Sequence, residues 1–309
     1  MRYLVTGGAG FIGSNTVDEI VRRGHSAVVL DDFSAGREEN LKRSAGKIEI
    51  IRGSITDLPT VQKACEGADY VIHLAALTSV PRSVKDPLET NHVNIDGTLN
   101  VLVAARDAKV RRLVYAASCS AYGEAPIQPQ CERMSPDPIS PYGVTKFVGE
   151  LYAKVFYRCY GLETICLRYF NVFGPRENPT SSYSGVLSKF VTALLIHEQP
   201  IIFGDGEQSR DFTYIENVVQ ANLLACDAQN CAGKTFNVGN GGRNTLNEAL
   251  RLLEKISEKK ATAKYELPRS GDVLHSQADI TEAREVLGYD PKVGFEEGLR
   301  RTWEWYAAT

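Results

Sequence analysis

The sequence has no apolar run near the ~18 residues that a bilayer-spanning helix requires, so a membrane-spanning protein is not expected. Its seven cysteines are odd in number, scattered, and free of any Cys-x-x-Cys pair. That pattern excludes a zinc ribbon and a disulfide framework, and predicts reduced packing thiols with no metal site. No basic stripe or polybasic helix is present, and the formal net charge is −3, so neither nucleic acid nor a membrane surface is an expected partner. No internal repeat or low-complexity linker interrupts the chain. Asn178-Pro179-Thr180 is barred from N-glycosylation by its central proline. The opening residues, MRYLVTGG, predict a strand at once and show no charged n-region, apolar h-region or cleavage site, so a cytoplasmic location is expected.

What is present reads as globular. The 309 residues are 43% hydrophobic and 24% charged. That suffices for a large core, in one extended domain or in a domain with a smaller lobe. Strands are predicted at Arg2–Thr6, Ser26–Leu30, Ile48–Arg52, Tyr70–Leu74, Leu113–Ser118 and Glu163–Arg168. Helices are predicted between them at Phe11–Arg23, Leu58–Cys65, Val93–Ala108 and Tyr142–Tyr160. Alternation of this kind implies βαβ units, hence an α/β, doubly wound parallel sheet. Beyond Arg168 the pattern loosens. Asn171–Ser184 reads as a loop, Ser184–His197 and Ile215–Asp227 as helices, and Thr235–Val238 as a strand. Leu246–Lys255 and Phe295–Tyr306 read as amphipathic helices.

The first strand runs into TGGAGFIG, with glycines at 7, 10 and 13. Gly7 permits a tight turn, Gly10 a close backbone approach to a pyrophosphate, and Gly13 close helix–sheet packing. The following helix presents free N–H groups and its positive dipole end to the phosphates. Asp31 lies 18 residues after Gly13, at the end of the second strand. A carboxylate there accepts ribose hydroxyls and repels a 2′-phosphate, so NAD is favoured over NADP. Asp57 has two readings, an adenine contact or a plain helix N-cap.

Ser118 ends the fifth predicted strand, at the edge where open α/β sheets bind ligands. Tyr142 follows 24 residues later in SPYGVTK, and Lys146 lies four residues on, on the same helix face. Alone, Tyr-x-x-x-Lys is a pair of solvated residues. Beside a phosphate cradle it becomes a proton-transfer set. Tyr142 is the expected base, Ser118 holds the reacting oxygen, and Lys146 lowers the phenol pKa and binds the nicotinamide ribose. Tyrosine titrates near ~10, so activity near neutrality asks for ~4 kcal/mol. A cation ~4 Å away supplies about that at an effective dielectric of ~20.

With TGGAGFIG, DDFSAG, HLAA, NIDGTLN, SCSAYG, SPYGVTK, LRYFNVFGPR, GDGEQSRDFTYIENV, FNVGNG and RSGDVLHSQAD, the chain resembles the extended short-chain dehydrogenases/reductases. Within them it is most similar to the nucleotide-sugar 4-epimerases, the UDP-N-acetylglucosamine and UDP-glucose 4-epimerases. The resemblance implies a Rossmann domain over residues 1–170, with segments near 211–240 returning to it. Residues 171–309 would then form mainly a smaller C-terminal substrate-binding lobe. It implies NAD contacts from Gly7, Gly10, Phe11, Ile12, Gly13, Asp31, Asp32, Phe33, Ser34 and Gly36. Further NAD contacts would come from Asp57, Leu58, Leu74, Ala75, Ala76, Asn94, Tyr142, Lys146 and Tyr169. A UDP-sugar would meet Val80, Arg82, Ser118, Ser120, Tyr142, Asn171, Phe203, Arg210, Arg269, Asp272 and Ser276. Arg210 and Arg269 match diphosphate ligands, and Phe203 matches a uracil-stacking position. A small residue at Ser276 leaves room for an N-acetyl group.

The related dehydratases carry Asp-Glu after the strand-five Ser/Thr, where this chain has Cys119 and Ser120, so dehydration is not expected. Cys119 also departs from the small residues usual in relatives and reads as packing or as a trim on the sugar pocket. His275 reads as structural. Helices Val93–Ala108 and Tyr142–Tyr160 are apolar on more than one face, which in this family pairs them across a homodimer. The rival readings are a UDP-glucuronate 4-epimerase, a nucleotide-sugar reductase, and a non-catalytic NAD sensor.

Overall fold

The computed structural model describes residues 1–178, 185–268 and 273–309. Six parallel strands form in chain order: β1 (Arg2–Thr6), β2 (Ser26–Asp31), β3 (Ile48–Arg52), β4 (Tyr70–His73), β5 (Arg112–Ser118) and β6 (Glu163–Tyr169). A seventh strand, Thr235–Val238, arrives from far along the chain and pairs in parallel with β6. The sheet order is β3-β2-β1-β4-β5-β6 followed by Thr235–Val238. The order reverses between β1 and β4, which opens a crevice above their carboxyl ends.

Successive residues of each strand serve opposite faces. Val5, Val29, Ile72, Val114 and Ile165 pack with α1 (Phe11–Arg22) on one side. Leu4, Val28, Val71, Leu113 and Tyr115 pack on the other with α2 (Leu58–Cys65). Both faces are covered, which is why these strands read as near-continuous apolar runs.

The second covered face departs from expectation. Two short helices, α3 (Val80–Lys85) and α4 (Pro87–Asn91), precede a π turn at His92–Asp96, and only then does α5 (Gly97–Asp107) begin. Helices of six and five residues are too short to show a 3.6-residue period, so periodicity misses them. Prolines in their first turns and side-chain caps from Ser79 and Asp86 start them instead. Helix α6 (Pro141–Tyr160) has the fullest local specification. The Ser140 hydroxyl caps Gly143 N–H at 3.1 Å, Pro141 opens the helix, and Gly161 at φ 72° closes it.

In the second half, α7 (Val186–Leu195), α8 (Ile215–Asp227), α9 (Leu246–Ser257) and α10 (Phe295–Ala307) form. The loop expected over 171–184 carries a two-residue strand, Val172–Phe173, paired with Thr213–Tyr214. Ser209–Arg210 pairs with Asn244–Thr245, and Ile201–Phe203 with Lys264–Glu266. Strands of two or three residues leave no alternation to read. Among the described residues no helix is long and apolar enough to cross a membrane, and no group of three or more His, Cys, Asp or Glu is placed to hold a metal ion.

Candidate active site

The glycine cradle is built by contact as well as by turn geometry. A Cβ on Gly13 would lie 2.1 Å from the Gly7 carbonyl oxygen, and one on Gly7 would lie 2.8 Å from Ala75 N. Gly7 also sits at φ 68°, which favours glycine. Helix α1 begins at Phe11 and Ile12 with no side-chain cap and no acidic residue in its first turn. Its opening N–H groups and dipole therefore suit an anionic ligand. Leu74 and Ala75 N–H groups point to the Thr6 hydroxyl at 3.2 and 3.3 Å, which brings the end of β4, with Ala76 after it, against the cradle.

Asp31 is buried, and it bonds to the backbone around it. Its carboxylate accepts Ala9 N–H and Phe33 N–H, each at 2.8 Å. Burial pushes its carboxyl above the usual range, and these two N–H groups pull it back. A Cβ on Gly36 would meet that carboxylate at 2.8 Å, so Gly36 closes over it. Asp32 is exposed and takes the Ser34 N–H and hydroxyl. Asp57 occupies the N-cap position of α2 but makes no capping bond, accepting the Thr60 hydroxyl instead, with Leu58 beside it. The cradle, the uncapped helix start and an acidic residue at the end of β2 fit NAD.

Ser118, Tyr142 and Lys146 come together at the carboxyl end of β5. All three are buried. The Tyr142 N–H donates to Ser83 Oγ at 3.1 Å, so α3, which the sequence reading missed, anchors the first turn of α6. The Ser118 hydroxyl donates to Ser120 Oγ at 3.0 Å and accepts Ser120 N–H at 3.1 Å. Lys146 Nζ donates to the Ala116 carbonyl at 2.7 Å. Asn94, in the π turn, holds Leu77 through both amide atoms and donates to Thr145 Oγ1 at 3.0 Å. A π turn placed here fits the tendency of such turns to mark functional positions. Tyr169 donates its hydroxyl to Asn222 at 2.6 Å.

Lys146 was expected to lower the Tyr142 pKa. Instead burial pushes the phenol up to about 12, with a hydrogen bond from Ser118 pulling it down. Burial likewise brings the Lys146 ammonium down to about 8, while Glu150 supports its charge. For both groups burial is the largest cause of the shift.

The substrate-side positions spread along the facing lobe. Asn171 (φ 30°), Phe203 and Arg210 line a cavity of about 230 Å³ with Val172, Phe173, Gln208 and Phe212. Arg210 Nη1 donates to the Ser209 and Leu274 carbonyls at 2.9 and 3.0 Å. Ser276 is buried and accepts from Asn171 Nδ2 at 3.1 Å. Val80 and Arg82 lie on α3, where Arg82 pairs with Glu89 at 2.7 Å. Arg269 and Asp272 lie outside the described residues. Cys119 is half-buried in a short 3₁₀ turn, and burial pushes its thiol up to about 11. His275 hydrogen-bonds Ser209 Oγ at 2.8 Å, in keeping with a structural role.

The sequence reading missed Asp211, which takes the N–H groups of Asn240, Gly241 and Ala278 and so ties three segments together behind Arg210. Its signal in the sequence was an acidic residue set between Arg210 and the apolar Phe212.

The fold and this crevice define a dinucleotide-dependent enzyme. The chain belongs to the NAD-dependent epimerase/dehydratase family, whose model matches residues 3–239. Its cofactor is NAD, and it is an NAD-dependent epimerase. It is 39% identical over 310 residues to the UDP-glucose 4-epimerase of Mycolicibacterium smegmatis, covering 99% of this chain and 98% of the relative. Among solved structures, UDP-glucose 4-epimerase from Thermotoga maritima with UDP-glucose superimposes with a TM-score of 0.95 at 40% identity, over 99% of this chain and 98% of that one. UDP-N-acetylglucosamine 4-epimerase from Methanobrevibacter ruminantium, in complex with UDP-N-acetylmuramic acid, gives 0.95 at 38% identity over the same shares.

Proposed function

We propose that the protein is a UDP-hexose 4-epimerase. It interconverts UDP-glucose with UDP-galactose, and UDP-N-acetylglucosamine with UDP-N-acetylgalactosamine. The observation that carries this reading is the buried Ser118, Tyr142 and Lys146 set, followed by Cys119 and Ser120 in place of an acid–base pair. Bound NAD supplies a reversible hydride acceptor for C4. Tyr142 takes the proton of the sugar 4-hydroxyl and later returns it. Ser118 hydrogen-bonds the same oxygen, and Lys146 stabilises the phenolate. Arg210 grips the diphosphate with its planar fork, Phe203 stacks on the uracil, and the pyranose beyond the diphosphate is left to turn over as its 4-keto form. Ser276, being small, leaves space beside C2.

The proposed assembly is a homodimer through α5 and α6. Val144, Leu151 and Val155 are exposed along α6 and supply the apolar surface for it.

The test is to incubate the purified protein, without added cofactor, with UDP-glucose, UDP-N-acetylglucosamine and UDP-glucuronate. The 4-epimers of the first two are expected. Epimerisation of UDP-glucuronate alone would replace this reading with a hexuronate epimerase. Tyr142→Phe is expected to abolish turnover while retaining NAD; activity in that variant would remove the phenol from the mechanism.

A further inference from the structure

Tyr142, Lys146 and Glu150 are spaced four residues apart on α6 and form one buried row. Glu150 is fully buried, and its carboxylate receives Arg168 of β6 through two bonds, 2.8 Å from Nε and 2.7 Å from Nη2. The Arg168 guanidinium lies over the Tyr122 ring at 4.5 Å, and the Tyr122 hydroxyl donates to Asn237 of the seventh strand at 2.7 Å. The carboxylate therefore has a fixed position, set by two neighbouring strands. Gly149 makes the packing possible. A Cβ there would lie 2.2 Å from the Tyr115 hydroxyl, which donates to the Lys146 carbonyl at 3.3 Å. The Tyr115 ring in turn lies 5.0 Å from Lys146 Nζ.

We propose that Glu150, held by Arg168, is a positioning residue that keeps Lys146 protonated beside Tyr142 during catalysis. This rests on the epimerase reading of the site and deepens it. A buried ion pair seldom adds much net stability, so a role in the reaction explains its presence better than folding does. The groups facing Lys146 leave Glu150 as its countercharge. On β4, His73 is neutral, held down at about 3 first by burial and then by Lys146 itself. On β5, Tyr115 is kept protonated by burial, and Cys166 of β6 likewise. Tyr142 is raised by burial; the further cations are Arg168 of β6, paired with Glu150, and Lys154, one turn beyond Glu150 on α6 and close enough to act on Cys166. Burial alone pulls the ammonium down, and Glu150 opposes it.

The experiment reads the pH profile of kcat/KM for UDP-glucose in two variants that remove the charge and one that keeps it. Glu150→Gln removes the charge at nearly constant shape. Glu150→Leu with Arg168→Met removes the pair together, a swap that buried pairs commonly tolerate. In either, the alkaline limb is expected to move down by about one pH unit, with KM changed less than twofold. Glu150→Asp is expected to restore the limb. An unmoved limb in the folded variants, or a loss carried by KM alone, would overturn the inference. If the unaltered protein epimerises no UDP-sugar, the functional reading fails; if it does and the limb stays put, only the role of Glu150 fails.

Discussion

Replacing Lys146 by Met separates what this side chain does for chemistry from what it does for the fold. Burial holds the Tyr142 phenol up to about 12. Working near pH ~8 therefore asks for about four units, or about 5–6 kcal/mol. An ammonium ~4 Å from the phenolate supplies about 4 kcal/mol at an effective dielectric of ~20. The hydrogen bond from Ser118 is already part of the value near 12. The ammonium thus supplies most of the requirement. Lys146→Met should thus lower kcat/KM at pH 8 by about a thousandfold. Its residual activity should climb about tenfold per pH unit between 7 and 9, because the phenol now titrates far above the assay range. Fold stability should change little. Losing the bond to the Ala116 carbonyl costs about 1–3 kcal/mol, but the desolvation that holds the ammonium at about 8 disappears with it. The assay is steady-state epimerisation across pH, with NAD content and thermal melting measured on the same preparation. A loss under tenfold, or a residual rate flat with pH, in a protein that keeps its NAD, would refute this account of the phenol.

Two other outcomes follow from the same geometry. Ser276→Tyr should cut kcat/KM for UDP-N-acetylglucosamine at least tenfold relative to UDP-glucose, since a phenol replaces a buried hydroxyl beside Asn171; competition assays with both sugars check the ratio. Leu151→Glu with Val155→Glu should convert a dimer to a monomer in size-exclusion chromatography with light scattering, because both positions are exposed on one face of α6.

The sheet and its flanking helices were legible because fully buried strands and capped, periodic helices write their structure locally. Ser140, Pro141 and Gly161 frame α6 almost to the residue. The region from Val80 to Asp96 was not legible, since its helices are shorter than two turns and its π turn depends on the Asn94 amide reaching Leu77. That same region positions Tyr142 through Ser83, so part of the site's support was hidden along with it. The sign of the Tyr142 shift was illegible for another reason. Spacing reveals that Lys146 is near, but only the packed structure reveals how completely both groups leave water.

The late strand Thr235–Val238 also bears on how the chain is made. While the ribosome is still delivering residues beyond β6, that strand's outer edge has unpaired N–H and C=O groups and invites association with other chains. The nucleotide-binding half therefore cannot be finished by its own residues. Fragments ending near position 170 should be prone to aggregate, and a nascent chain needs about seventy more residues before its seventh strand covers the edge of β6.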